Sequence, residues 1–147
     1  MGYLAEIFFE RVKLGVIRNL VLEFLGKGQF TEDEESKLPP FFSDQKVCTV
    51  ALFPVHLHRE TLHISTGSIH LYRWDCQEDH DVLFMWDMAE DTGMVMKDMI
   101  DVLHPIAVTV AEKYGVGRCL GGYEPAGDED TRFFTGTTRG PLFMKCE

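Results

Sequence analysis

The chain has 147 residues, one domain's worth, with 45% hydrophobic and 26% charged side chains, so an ordinary core is within reach. Its formal charge is -10, from 24 acids against 14 bases, which argues against a general nucleic-acid binder, because such a protein needs a positive footprint. It contains no apolar run of about 18 residues, so no membrane-spanning helix is expected.

The opening "MGYLAE" has neither the basic region nor the short apolar stretch of a secretory signal. Glu6 also stands where a myristoylation site needs Ser or Thr. The next stretch, "LAEIFFERV" (4–12), is apolar and aromatic enough for a strand, with a helix as the alternative. In "LGVIRNLVLEFLGKG", Val16, Leu20 and Phe24, and likewise Ile17, Val21 and Leu25, recur at helical spacing. Gly26 or Gly28 should end that helix. Residues 29–46 read as an exposed, mobile loop. The acids "EDEE" and the pair Pro39-Pro40 leave little apolar surface to offset ordering entropy.

"KVCTVALFP" (46–54) reads as a strand. "TLHIS" and "SIHLYRW" should form a hairpin about Thr66-Gly67. "DVLFMWDM" (81–88) is a further strand. Residues 94–114 have a helical pattern, with Met99, Leu103, Ile106, Val110 and Tyr114 on one stripe. Pro105 should kink or split that helix, and Gly115 should end it. "RCLGGYEP" suggests a short strand, "RFFTGTTRG" is ambiguous, and "PLFMKC" suggests a last strand. The expected fold class is therefore α/β or α+β, a single domain over 1–147 with a mostly antiparallel, mixed sheet flanked by helices.

Cys48, Cys76, Cys119 and Cys146 lie far apart and read as reduced thiols in a cytoplasmic protein. The acids are clustered. Residues 75–91 hold Asp75, Glu78, Asp79, Asp81, Asp87, Glu90 and Asp91 with no Lys or Arg, a solvated face or a patch for a partner with a basic surface. His56 and His58 share one side of any strand through them, and His63 and His70 could join them at a metal only if a hairpin brought them round. Half-exposed strand histidines are the plainer reading, and no metal is expected. "TGTTRG" carries hydroxyls, glycine and Arg139 in the one basic stretch, so Thr137, Thr138 and Arg139 are an anion-binding candidate beside the reading as an ordinary turn.

The run "LFMWDMAEDTGMVMKDMIDVL" (83–103) lays out a strand, an acidic turn with one glycine, and a helix. With "EIFFERVKLGVIRNLVLEFLGKGQF" before it and "EKYGVGRCLGGYEPAGDEDTRFFTGTTRGPLF" after it, this order resembles the GNAT acyltransferase family, in the manner of small, sometimes non-catalytic bacteriophage members. The resemblance implies that the strands before and after residue 93 splay apart in a V. It also implies an acyl-CoA site, with Gly93, Met94 and Val95 at the pyrophosphate. In an acyl-CoA-dependent N-acyltransferase, Asp87 or Glu90 would then be the general base and Tyr123 the acid.

The family loop runs Gln/Arg-x-x-Gly-x-Gly/Ala, and the matching positions here are Glu90, Gly93 and Val95. Carboxylates about 4–5 Å from a pyrophosphate cost a few kcal/mol at an effective dielectric near 20. Phe134, which has no proton to give, stands where the family has its tyrosine. The expectation is therefore a non-catalytic interaction or assembly protein on a GNAT-like scaffold, phage- or virion-associated, with a protein partner. It needs no cofactor, and acetyl-CoA belongs to the enzyme alternative.

Overall fold

The computed structural model describes residues 4–26, 32, 49–54, 57–59, 62–64, 67–73, 79–87, 96–123 and 132–140. Its elements are β1 (Leu4–Val12), α1 (Leu14–Leu25), β2 (Thr49–Pro54), β3 (Leu57–Arg59), β4 (Leu62–Ile64), β5 (Ser68–Arg73), β6 (His80–Asp87), α2 (Met96–Lys113), β7 (Arg118–Tyr123), β8 (Arg132–Thr135) and β9 (Thr138–Arg139). Seven strands form one sheet in the order β2-β5-β6-β1-β7-β8-β9, while β3 and β4 pair separately. Every ladder among these strands is antiparallel, so the sheet has no mixed pair and the class is α+β.

β1 occupies the centre because its sequence alternates between two usable faces. Ala5, Ile7 and Phe9 are buried on one side, and their partners in β6 are Trp86, Phe84 and Val82. α1 packs on this side. Phe24 meets Phe9 edge to face at 5.4 Å and Phe84 at 5.3 Å. α2 packs there too, since His104 stacks at 4.2 Å on Phe134, whose cross-strand partner Gly121 pairs in turn with Ile7. Ile17, Leu20, Val21 and Leu25 of α1, and Met99, Ile100, Leu103, Ala107 and Val110 of α2, fill the layer between. Each of these but Ala107, fully buried, contributes about 1.5–3 kcal/mol.

Several expectations meet this structure directly. Gly26 ends α1 in the left-handed conformation at φ 78°, where a side chain would be strained. α2 runs unbroken through Pro105, which lies on its exposed side. Its buried stripe includes Met99, Leu103 and Val110 as expected, but Ile106 and Tyr114 are only half-buried, and Ile100, His104 and Ala107 take their place. A helix packed on a sheet buries a face wider than one i, i+4 row.

The hairpin expected about Thr66-Gly67 is not formed. β4 pairs with β3, and β5 pairs with β2 and β6. The ambiguous "RFFTGTTRG" is a hairpin, β8 and β9 about Gly136. The loop expected over 29–46, apart from Glu32, and the last strand expected in "PLFMKC" lie outside the described residues.

The V-shaped opening that the GNAT resemblance implied does not exist. β6 and β7, the strands before and after residue 93, are not neighbours. β1 lies between them and is hydrogen-bonded to both.

Candidate functional site

With both helices on one side of the sheet, the other side carries the remaining half of each strand. The pairing register places the residues there. One row crosses it as His70, Leu83, Phe8, Leu120 and Thr135. The next row is Ser68, Met85, Glu6 and Gly122, and beyond it Leu4 pairs with Asp87. Leu83 and Leu120 are buried, whereas Phe8, Tyr72 and Met85 are half-buried. Leu4, at 40% exposure, is the one large hydrophobic residue among those described that is exposed.

Carboxylates alternate with these apolar groups. Glu6, Glu10, Asp81 and Asp87 all lie on this side of β1 and β6, with Glu6 buried and the other three half-buried. Glu10 accepts a hydrogen bond from Arg118 Nη2 at 2.7 Å. Asp81 Oδ1 accepts one from the Arg11 backbone N–H at 3.1 Å. That bond holds a β-bulge between Phe9 and Val12, where Arg11 takes a positive φ of 56°. Such a conformation costs a non-glycine residue about 1–3 kcal/mol and persists only where its surroundings fix it. The described cations on or beside this face include Arg118, engaged with Glu10, the exposed Arg11 of the bulge, and Arg132, which is buried and donates to Thr135 Oγ1 at 3.0 Å.

Of the residues proposed for acyl transfer, Asp87 and Tyr123 are not brought together. Asp87 pairs with Leu4 and Tyr123 pairs with Ala5, so the two point to opposite sides of the sheet with β1 between them. Tyr123 instead packs edge to face on Phe133 at 4.9 Å. Glu90, Gly93, Met94 and Val95 lie outside the described residues.

In the basic stretch, Thr137 and Thr138 are exposed and Arg139 pairs with Phe134. The turn's Gly136 N–H donates to the Cys119 carbonyl at 2.7 Å, and the Gly136 carbonyl lies 2.7 Å from His104 Nε2. A carbonyl only accepts, so the His104 ring carries its proton on Nε2. Both backbone groups of Gly136 are thus committed within the fold.

His56 lies outside the described residues, and His63 faces His58 directly across the β3–β4 pair. His70 Nε2 shares a hydrogen bond with Ser68 Oγ at 3.0 Å. Among the described residues no group of three or more His, Cys, Asp or Glu could hold a metal ion. Burial pushes the Cys119 thiol up to about 12, leaving it protonated and unreactive as a nucleophile at neutral pH. None of the described helices is long and apolar enough to cross a membrane.

A protein-family model described as the PABL017 Cdi1I immunity protein matches residues 4–139. The chain belongs to this family. The match overturns the GNAT resemblance, which rested on element order and one glycine, features that unrelated folds share. A chain of the crystal structure of the toxic C-terminal tip of CdiA from Pseudomonas aeruginosa in complex with immune protein has the same fold, with a TM-score of 0.70 and 20% identity. The similarity covers 97% of this chain and 99% of that one. No curated protein matches the chain.

The residues that sequence reasoning missed are Leu4, Glu6, Phe8 and Glu10 as one face. The signal was present in "LAEIFFERV", where they alternate with Ala5, Ile7 and Phe9 at a period of two.

Proposed function

We infer that this protein protects by binding. It engages a CdiA toxic C-terminal tip as a stoichiometric partner and performs no chemistry of its own. The observation that carries this reading is the immunity-protein family match over residues 4–139. The separation of Asp87 from Tyr123 by the sheet agrees with it, and so does the buried, protonated Cys119. Inhibition by occlusion needs shape, apolar contact and charge, and it calls for no cofactor. The strong acidity of the chain suits a toxin with a basic surface.

The test is co-expression with the CdiA C-terminal tip encoded in the same genome, scored by growth and by titration of the purified pair. The expected result is rescue of growth and a saturable one-to-one complex. Undiminished killing, with no binding at about 10 μM (about -7 kcal/mol at that dissociation constant), overturns the reading.

A further inference from the structure

We propose that Arg11 is a contact residue for the toxin: its guanidinium receives a carboxylate of the CdiA tip, and the fold carries backbone strain to hold it in place. The proposal rests on the immunity reading and adds one contact and its chemistry. Three observations carry it. First, Arg11 is the one described non-glycine residue with a positive φ, at 56°. Glycine enters that conformation freely and Asn or Asp at a lower penalty than arginine. Were the bulge alone at issue, glycine would fill it with less strain. Second, the guanidinium has a seat. It lies against Gly117, where a Cβ would stand 2.8 Å from Arg11 Nε and 3.2 Å from Cζ. The seat is tied to the same strand, since the Gly117 N–H donates to the Glu10 carbonyl at 3.0 Å. Third, Arg11 is exposed, and among the described residues no acceptor takes up its guanidinium.

The charges beside Arg11 leave it unmatched. Glu10 is engaged by Arg118 Nη2 at 2.7 Å, and Asp81 Oδ1 accepts the Arg11 backbone N–H at 3.1 Å. Glu10 thus offsets Arg118, and Asp81 fixes the bulge. Strain that persists at one residue because its surroundings impose it is a feature of ligand clamps. What the strain holds out here is a planar fork of donors, which a carboxylate meets with two parallel hydrogen bonds. Because the partner is a polypeptide, that carboxylate belongs to an Asp, a Glu or a chain terminus. Arginine is also enriched among the residues that dominate binding energy at interfaces.

The sign of the charge has a second consequence. A chain with a formal charge of -10 repels acidic groups in general, so a toxin carboxylate is accepted only where a cation receives it. A toxin without that carboxylate would cover the arginine and leave it unpartnered. Arg11 therefore discriminates between toxins as well as binding one.

The experiment titrates purified wild type and variants with the same CdiA tip used in the rescue assay, and records melting curves of the free proteins. Arg11→Gly removes the side chain and the strain together. The expected result is a dissociation constant raised about tenfold or more, with a melting temperature at or above that of wild type. A side chain that served only the fold would give the reverse, a lower melt with unchanged binding, and that result overturns the proposal. Arg11→Lys keeps the charge but not the fork and should weaken binding at least about threefold. Gly117→Ala keeps the charge and pushes the guanidinium off its seat. It should weaken binding in wild type and add nothing in the Arg11→Gly background. Lys97→Gln, an exposed cation on α2 paired with Asp101, controls for charge alone and should change binding less than about threefold. If Arg11→Gly does not fold, Arg11→Asn replaces it with the same expectations, since asparagine tolerates the positive φ. Either variant binding within about threefold of wild type overturns the proposal. A wild type that neither binds nor rescues defeats the immunity reading itself, so the two failures are separate.

Discussion

The two faces of the sheet obey different rules. On the helix side, Ala5, Ile7 and Phe9 meet Phe24, Leu103 and their neighbours at nearly zero exposure, and almost everything is apolar. On the other side the same strand offers Leu4, Glu6, Phe8 and Glu10, a mixture of apolar and charged groups in which Glu6 is buried while Leu4 is exposed. Positions 5, 7 and 9 of this strand therefore face the core and positions 4, 6, 8 and 10 the opposite side, until the bulge brings Val12 back to the core.

The largest expected effect lies in the helix layer. Leu103→Ala removes a fully buried side chain and should cost about 2–5 kcal/mol in chemical denaturation. A loss below about 1 kcal/mol would mean that α2 is not the core helix and would erase the contrast. Next comes Gly121→Ala. A Cβ there would stand 2.7 Å from Phe134 Cε2, and Phe134 cannot retreat because His104 stacks on it at 4.2 Å. Overpacking of this kind costs about 1–3 kcal/mol. A neutral outcome would show slack in the layer between β7, β8 and α2.

Smaller still is Met85→Ala on the other face. The side chain is half-buried, so its stability cost in chemical denaturation should fall near or below about 1 kcal/mol. A loss as large as that of Leu103→Ala would reverse the assignment of the two faces.

Two pH effects follow from the helix side. Burial raises the Cys119 thiol from 9.0 to about 12, so the fold favours its protonated form. Stability from that preference is fully present below pH 9 and is lost as pH rises from 9 toward 12. A Cys119→Ala variant should lose less stability over that window, measured by denaturation at pH 8 and pH 10.5. Lys113 is raised above 10.5 chiefly by its hydrogen bond to Glu23, with the charge of that carboxylate second. This contribution holds below about 10.5 and fades as pH climbs past it. The pair is well exposed, so Lys113→Gln should move the melting temperature by no more than the scatter of replicate scans.

Much of the fold was legible in local pattern. The helical spacing of Ile17, Leu20, Val21 and Phe24, and the stop at Gly26, follow from rules that act within a few residues. The hairpin expected at Thr66-Gly67 failed because turn chemistry permits a turn without choosing the strands' partners. That choice lay with β2 and β6, both outside the stretch that the turn would join. The acids Asp81 and Asp87 were plain in the sequence, but their place on the same side as Leu4 and Phe8 depended on β6 pairing with β1 about 80 residues away in the chain. The GNAT resemblance went wrong for a related reason. A strand, a turn and a helix around Gly93 look alike whether the next strand lies beside β6 or, as here, one strand further on.

The division between the faces is tested most directly by hydroxyl-radical footprinting of the native protein, because that method reads side chains. The account predicts that Leu4, Tyr72 and Met85 react while Phe9, Phe84 and Trp86 on the helix side stay protected. Reactive Phe9, Phe84 and Trp86, with Leu4, Tyr72 and Met85 protected, would contradict it.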